Sequence, residues 1–153
     1  MVRHESRRRG QVALVGRPNV GKSTLFNRLT RSRHAIVTSV PGTTRDLLEG
    51  TVEWQGCLFT LFDTGGVIGL SEDPMQDSVA ERMRKIAGAV DVLVLVVDGR
   101  EGVLPADDEL AQELRTRGVP VVVAVNKTDD HRARDRVAEF HRFGYTPVLE
   151  IAA

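Results

Sequence analysis

The stretch "GRPNVGKS", Gly16–Ser23, follows the apolar run "QVALV", Gln11–Val15, and leads into "TLFNRL", Thr24–Leu29. Glycines at 16 and 21, then a lysine and a hydroxyl residue, complete the spacing G-x-x-x-x-G-K-S between a strand-like and a helix-like segment. Glycine lets backbone N–H groups turn inward without a Cβ in the way. A helix start adds free N–H groups and the positive end of its dipole. Gly16, Arg17, Pro18, Asn19, Val20 and Gly21 therefore read as a phosphate cradle, continued by Lys22, Ser23 and Thr24 at the helix start. In such a cradle Lys22 reaches the β and γ phosphates and Ser23 ligates Mg²⁺. The competing reading is a glycine-rich turn that matches the spacing by chance, so the rest of the chain has to decide.

With 153 residues the chain fits one domain, of a size that buries roughly 68–70% of its unfolded surface. Lys plus Arg and Asp plus Glu balance at 21 each, so no overall field calls for nucleic acid or a membrane surface. Only the leader "RHESRRRG", Arg3–Gly10, is locally basic; residues 1–10 are expected to be disordered and residues 11–153 to form the domain. Cys57 is the single cysteine, which excludes an internal disulfide and suits a reducing compartment. Its apolar surroundings place it as a small core residue rather than a nucleophile. No run reaches the ~18 apolar residues of a membrane span and no apolar signal region opens the chain, so a cytoplasmic, membrane-free protein is expected.

Apolar runs of strand length recur at Val12–Val15, Leu58–Phe62, Val92–Val97 and Val119–Val125. Runs without alternation suit strands covered on both faces, as in a parallel sheet. Helical patterns lie between most of them: Lys22–Leu29, Met75–Ile86, Asp107–Arg117 with Pro105 as its start signal, and Arg132–Phe143. One connection differs. "DLLEGTVEWQGCLFTLFDTGG", Asp46–Gly66, reads as two strands joined by a turn at Gln55–Gly56, which predicts one antiparallel strand at the sheet edge. The pattern is that of an α/β doubly wound domain, in which ligands bind at the carboxyl ends of the strands.

Three further segments stand where such a ligand would lie. "DTGG", Asp63, Thr64, Gly65 and Gly66, ends an apolar strand. P-loop enzymes hold Mg²⁺ partly through an aspartate there, and the two glycines free their N–H groups to approach a γ-phosphate. "PGTTRD", Pro41–Asp46, offers Thr43 or Thr44 as a further Mg²⁺ ligand; the alternative is a solvated loop. "NKTD", Asn126, Lys127, Thr128 and Asp129, follows the last apolar run. The Asp129 carboxylate can accept both the N1–H and the N2 amino hydrogens of guanine, charge-assisted bonds worth ~1.5–3 kcal/mol each. Adenine presents a lone pair at N1 and nothing at C2. The aliphatic stem of Lys127 can lie along the base. At the terminus, "LEIAA" brings Ala152 and Ala153 beside the base, where a backbone N–H can bond guanine O6.

Together, "GRPNVGKSTLFNRL", "PGTTRD", "DTGG", "VVDGREGVLPAD" and "NKTD" resemble the Era/Der group of P-loop GTPases. Within it they resemble the first of the two tandem GTPase domains of the Der (EngA) family, over about Gln11 to Ala153. The resemblance implies a Ras-like fold with a mostly parallel sheet and helices on both faces, GTP and GDP as ligands, and GTP hydrolysis in assembly of the large ribosomal subunit. It implies partner domains absent from this chain, a second GTPase domain and a KH-like domain. It also implies a last helix after "LEIAA", whose absence predicts an exposed apolar patch or reduced stability. It selects Thr44 over Thr43 for Mg²⁺, and it implies a K⁺ ion held by Asn19 and by carbonyls of Thr38–Pro41 in place of an arginine finger. Asn19 also suits a tight turn with no ion. Ras-type enzymes orient the attacking water with a glutamine directly after "DxxG". Here that position is Val67, with neither donor nor acceptor, so hydrolysis by this domain alone is expected near the intrinsic Ras rate of roughly 3–5 × 10⁻⁴ s⁻¹. Arg45 is a further cation in the switch loop, where arginines are more often solvated or paired with a carboxylate. A second class of function fits the same residues: a nucleotide-gated binding module, with loops Ile36–Asp46 and Gly66–Pro74 that order with GTP and with negligible turnover.

Overall fold

The computed structural model describes residues 9–31, 36–39, 46–64 and 79–153. Seven strands form a single sheet: β1 (Gly10–Val15), β2 (Ile36–Ser39), β3 (Asp46–Trp54), β4 (Cys57–Asp63), β5 (Val92–Asp98), β6 (Val121–Asn126) and β7 (Val148–Glu150), in the order β2-β3-β4-β1-β5-β6-β7. All neighbours from β4 to β7 pair in parallel. β3 is antiparallel to both β2 and β4. The helices are α1 (Lys22–Thr30), α2 (Val79–Ala89), α3 (Pro105–Arg115) and α4 (His131–Arg136), with a 3-10 helix at Val137–Phe143.

The unbroken apolar runs become strands buried on both faces. Along β1, Ala13 and Val15 face one core and Leu14 the other; in β5, Leu95 and Val97 oppose Val96; in β6, Val123 and Val125 oppose Ala124. One core packs against α2 (Met83, Ile86), α3 (Leu110, Leu114) and the 3-10 helix (Phe140, Phe143). The other packs against α1 through Leu25 and Phe26. Helices thus cover both faces, as the alternation of patterns foretold, with α1 the helix on its side among the described residues.

Some expectations are corrected. The antiparallel strand exists, and its turn has φ of +48° at Gln55 and +79° at Gly56, the paired positive values of a tight two-residue hairpin. It is not the edge strand, because the four residues of β2 pair outside it. So the segment read as a loop from Ile36 to Asp46 opens as strand and closes as strand. β7 is another addition, short and with exposed Leu149, so no apolar run marks it. β1 starts at Gly10, a residue the sequence reading left in the leader, and Arg9 donates to Thr51 Oγ1 at 3.3 Å; residues 1–8 lie outside the described residues. Cys57 is exposed, not core, because it sits at the first position after the hairpin turn, opposite Trp54 and beyond the covering helices. The single helix expected over Arg132–Phe143 divides at Val137. Val137, Phe140 and Phe143 recur every three residues, and a three-residue turn stacks them on one line against the core.

Leu29 and Trp54 are exposed on the α1 side, at 39% and 61%, beside an open apolar groove that Leu25, Val52 and Ile151 also line. Burial separates the two aromatic classes. Phe140→Ala, at a fully buried site, is expected to cost about 3–5 kcal/mol in urea unfolding, and Trp54→Ala about 1 kcal/mol or less.

Candidate nucleotide site

The site forms at the carboxyl ends of β1, β4, β5 and β6. The chain leaves β1 at Gly16, whose φ is +153°; a Cβ there would stand 2.4 Å from the carbonyl oxygen of Val96. Asn19 (φ +67°) and Gly21 (φ +102°) turn the loop back into α1. At Gly21 a Cβ would stand 2.2 Å from Nδ2 of Asn126. That close approach lets the buried Asn126 amide donate to the Val20 carbonyl at 2.9 Å, while Val20's side chain enters the core.

Lys22 is buried at the base of this loop. Its Nζ donates to the carbonyls of Gly16 (2.8 Å) and Arg17 (2.6 Å). Burial lowers its pKa to about 8, against the opposing pull of the Asp63 charge. Ser23 Oγ donates to Asp63 Oδ2 at 3.0 Å, so the hydroxyl and carboxylate expected to share a cation meet across α1 and β4. A cleft of about 480 Å³ opens here, lined by Pro18, Asn19, Gly21, Lys22, Ser23, Thr24 and Lys127. Thr64 is fully buried, and its hydroxyl donates to the Leu14 carbonyl at 2.6 Å, which ties the segment after β4 to β1 rather than facing the cleft. Thr44, Gly65, Gly66, Val67 and Arg45 lie outside the described residues.

At the other end of the cleft, Lys127 takes φ of +66° and donates to Asp98 Oδ2 at 2.8 Å and to the Asn19 carbonyl at 3.3 Å. Thr128 bonds the Ile151 carbonyl through its N–H (3.1 Å) and hydroxyl (2.8 Å), holding the terminal segment against the Asn126–Asp129 turn. Ala153 N–H donates to Asn126 Oδ1 at 3.0 Å, so that donor is engaged. Ala152 N–H has no partner among the described residues, which makes it the open donor of the pair. Asp129 is exposed and its carboxylate has no partner among the described residues.

One residue went unassigned in the sequence, Asp98, and one read as part of the phosphate cradle, Arg17, sends its side chain elsewhere. Asp98, the buried last residue of β5, holds the Lys127 ammonium and also accepts from the Arg100 N–H at 2.9 Å. Arg100 and Lys127 hold its carboxyl below the usual range against the effect of burial. Arg17 turns its guanidinium away from the cleft, to Asp107 at 2.7 Å and Glu101 at 2.8 Å. The available signal was polarity at the end of an apolar run, which "VVDGREG" has and which was used only for its resemblance.

A phosphate loop, a hydroxyl–carboxylate pair at its foot and a lysine–aspartate turn at the far end define a P-loop domain of the nucleotide-binding class. The family model described as 50S ribosome-binding GTPase matches residues 11–127, and the chain belongs to that family. It is 43% identical over 143 residues to GTPase Der of Persephonella marina and 49% identical over 142 residues to GTPase Der of Glaesserella parasuis. These alignments take in 94% and 93% of the chain but 32% and 28% of the two relatives, so the chain spans about a third of their length. Among solved structures, it superposes on the G domain of the Thermotoga maritima FeoB iron transporter with a TM-score of 0.70 at 28% identity, over 94% of this chain and 87% of that one. The GMPPNP form of the cytosolic domain of that transporter gives 0.71 at 27% identity, over 94% of this chain and 56% of that one.

Gly21 in the loop and Gly118, in the α3–β6 connection away from the site, separate backbone strain from crowding. Gly118 (φ +70°) has open space where a Cβ would go. Gly118→Ala is expected to cost about 1 kcal/mol from the left-handed backbone alone. Gly21→Ala adds displacement of the Asn126 amide and is expected to cost about 2–3 kcal/mol. Urea unfolding of both variants measures the difference.

Proposed function

We propose that this chain is the guanine-nucleotide-binding and GTP-hydrolysing domain of a cytoplasmic factor that acts in assembly of the large ribosomal subunit. The observation that carries the reading is the exposed carboxylate of Asp129, unpartnered among the described residues, two positions beyond Lys127, which lines the cleft with Lys22. The family membership, the Der relatives and the likeness to a domain solved with GMPPNP support it. No helix among the described residues is long and apolar enough to cross a membrane.

In this reading the phosphates enter over the Gly16–Gly21 loop, and Lys22 exchanges its two carbonyl bonds for charge-assisted bonds to the β and γ oxygens. Ser23 and Asp63 would hold Mg²⁺; one hydroxyl and one carboxylate suit a hard cation. A cation held there would supply neutralisation of charge on the transferring group. Thr44 adds a ligand, and the N–H of Gly66 meets the γ-phosphate. Asn19 would hold K⁺, which would supply the charge that an arginine finger supplies elsewhere. Val67 offers nothing to orient water, so turnover by this chain alone is slow. Lys127 packs its stem along the base, Asp129 reads N1 and N2, and Ala152 N–H meets O6.

Two measurements test this. In displacement of a fluorescent guanine nucleotide with magnesium present, GDP competes and a thousandfold excess of ADP does not. Asp129→Asn weakens GDP by roughly 10²–10³-fold, two charge-assisted bonds lost, and favours xanthosine diphosphate, whose 2-oxo group meets the new amide donor. Equal competition by ADP rejects guanine recognition. Single-turnover phosphate release from GTP is expected to be slow, abolished by EDTA, and faster in potassium than in sodium chloride. Equal rates in the two salts reject the potassium site, and no release over hours leaves a binding module.

A further inference from the structure

The side chain of Arg17 lies in the phosphate loop yet serves a different element. Its Nε donates to Oδ1 of Asp107 at 2.7 Å and its Nη2 to Oε2 of Glu101 at 2.8 Å. Asp107 is fully buried, at the first turn of α3, and its other oxygen accepts from the Leu104 N–H at 3.0 Å. One carboxylate therefore caps α3 and holds the phosphate loop. Glu101 belongs to the β5–α3 connection, Gly99–Leu104, which Asp98 fixes from below: the Arg100 N–H donates to its carboxylate and the Glu101 N–H to its carbonyl. Asp98 also holds Lys127, and Lys127 returns to the loop at the Asn19 carbonyl. The bonds close a ring from Arg17 through the β5–α3 connection and the guanine-side turn back to Asn19.

The ring has a consequence for the nucleotide. The loop carries positive φ at Gly16, Asn19 and Gly21 and has no ladder of its own. Lys22 tethers it through the Gly16 and Arg17 carbonyls, but those bonds are the ones exchanged when Lys22 turns to phosphate. On the α3 side, the bridge from Arg17 then remains. We propose that Arg17 is a positioning residue that, through Asp107 and Glu101, brackets the phosphate loop to the β5–α3 connection and so slows release of bound guanine nucleotide. This rests on the nucleotide-binding reading above and assigns the control of residence time to a side chain that touches no phosphate. Its guanidinium is taken by two carboxylates, so it is not an arginine finger.

The test is release of N-methylanthraniloyl-GDP chased by excess GDP, on the full chain with magnesium. Arg17→Ala is expected to speed release at least tenfold, both of its bonds to carboxylates being lost, with Arg17→Lys in between. Glu101→Gln, at an exposed side chain, is expected to speed it about threefold. The double variant Arg17→Ala/Glu101→Gln is expected to be no more than twofold faster than Arg17→Ala, because both remove one interaction. The KM for GTP rises with the release rate, and the single-turnover hydrolysis constant changes at least fivefold less than release does. Where Arg17→Ala does not fold, Glu101→Gln and Arg17→Lys carry the comparison. Release within twofold of the parent in every variant, or fully multiplicative effects in the double variant, overturns the bracket. A parent chain that binds guanine nucleotide while the variants release it unchanged overturns this inference alone; a parent that binds none removes the nucleotide reading itself.

Discussion

The carboxamide of Asn126 is the joint on which the site depends. Its Nδ2 donates to the Val20 carbonyl and its Oδ1 accepts from the Ala153 N–H. An amide has a donor end and an acceptor end, so these two bonds fix which way it points. One buried side chain therefore sets the distance between the phosphate loop, the end of β6 and the terminal segment. It also imposes glycine at position 21, since the loop passes where a Cβ would meet the amide. The spacing of the motif is in this respect a packing constraint, written by a residue more than a hundred positions away.

Charge around the cleft is arranged so that most cations are already satisfied. Arg17 is bridged by Asp107 and Glu101, Lys127 and Arg100 by Asp98, and Arg132 by Asp130. Lys22 differs. Its bonds go to neutral carbonyl oxygens, and burial draws its pKa down to about 8. A neutral acceptor surrenders an ammonium more readily than a carboxylate does, because only the carboxylate adds the attraction of an opposite charge. The exchangeable cation is thus the one at the foot of the phosphate loop, and the carboxylate without a partner among the described residues, Asp129, is the one at the base end.

Much of this was legible in the residues. The runs at 12–15, 58–62, 92–97 and 119–125 became β1, β4, β5 and β6 because sustained apolar sequence at strand length has few other fates. Ser23 and Asp63 were paired from motif order alone and do meet. What was not legible depends on tertiary pairing. β2 and β7 are short, and nothing in their composition separates a strand from a connection. Asp107 was counted as the opening of a helix, and no local signal says that its second oxygen holds Arg17, 90 residues earlier. Thr64 and Thr128 were placed with the ligand because they lie inside ligand motifs, and both hydroxyls instead bond backbone carbonyls that hold those motifs in position. A motif marks where a segment lies; which of its side chains face the ligand is decided by neighbours it does not contain.

The placement of the chemistry follows from the sheet. β1, β4, β5 and β6 are enclosed by apolar side chains on both faces, so polar groups along their lengths would lose water and gain nothing. Apart from Thr60 within β4, the exceptions come at the ends. Asp63, Asp98 and Asn126 are the last residues of β4, β5 and β6, each buried, and each has a partner from another segment: Ser23, Lys127, and the Val20 and Ala153 backbone. Three apolar runs that each stop on Asp or Asn therefore mark one edge of one sheet. The partners those residues need are the segments that form the candidate site, so satisfying the buried polar ends of the strands and assembling that site are the same event.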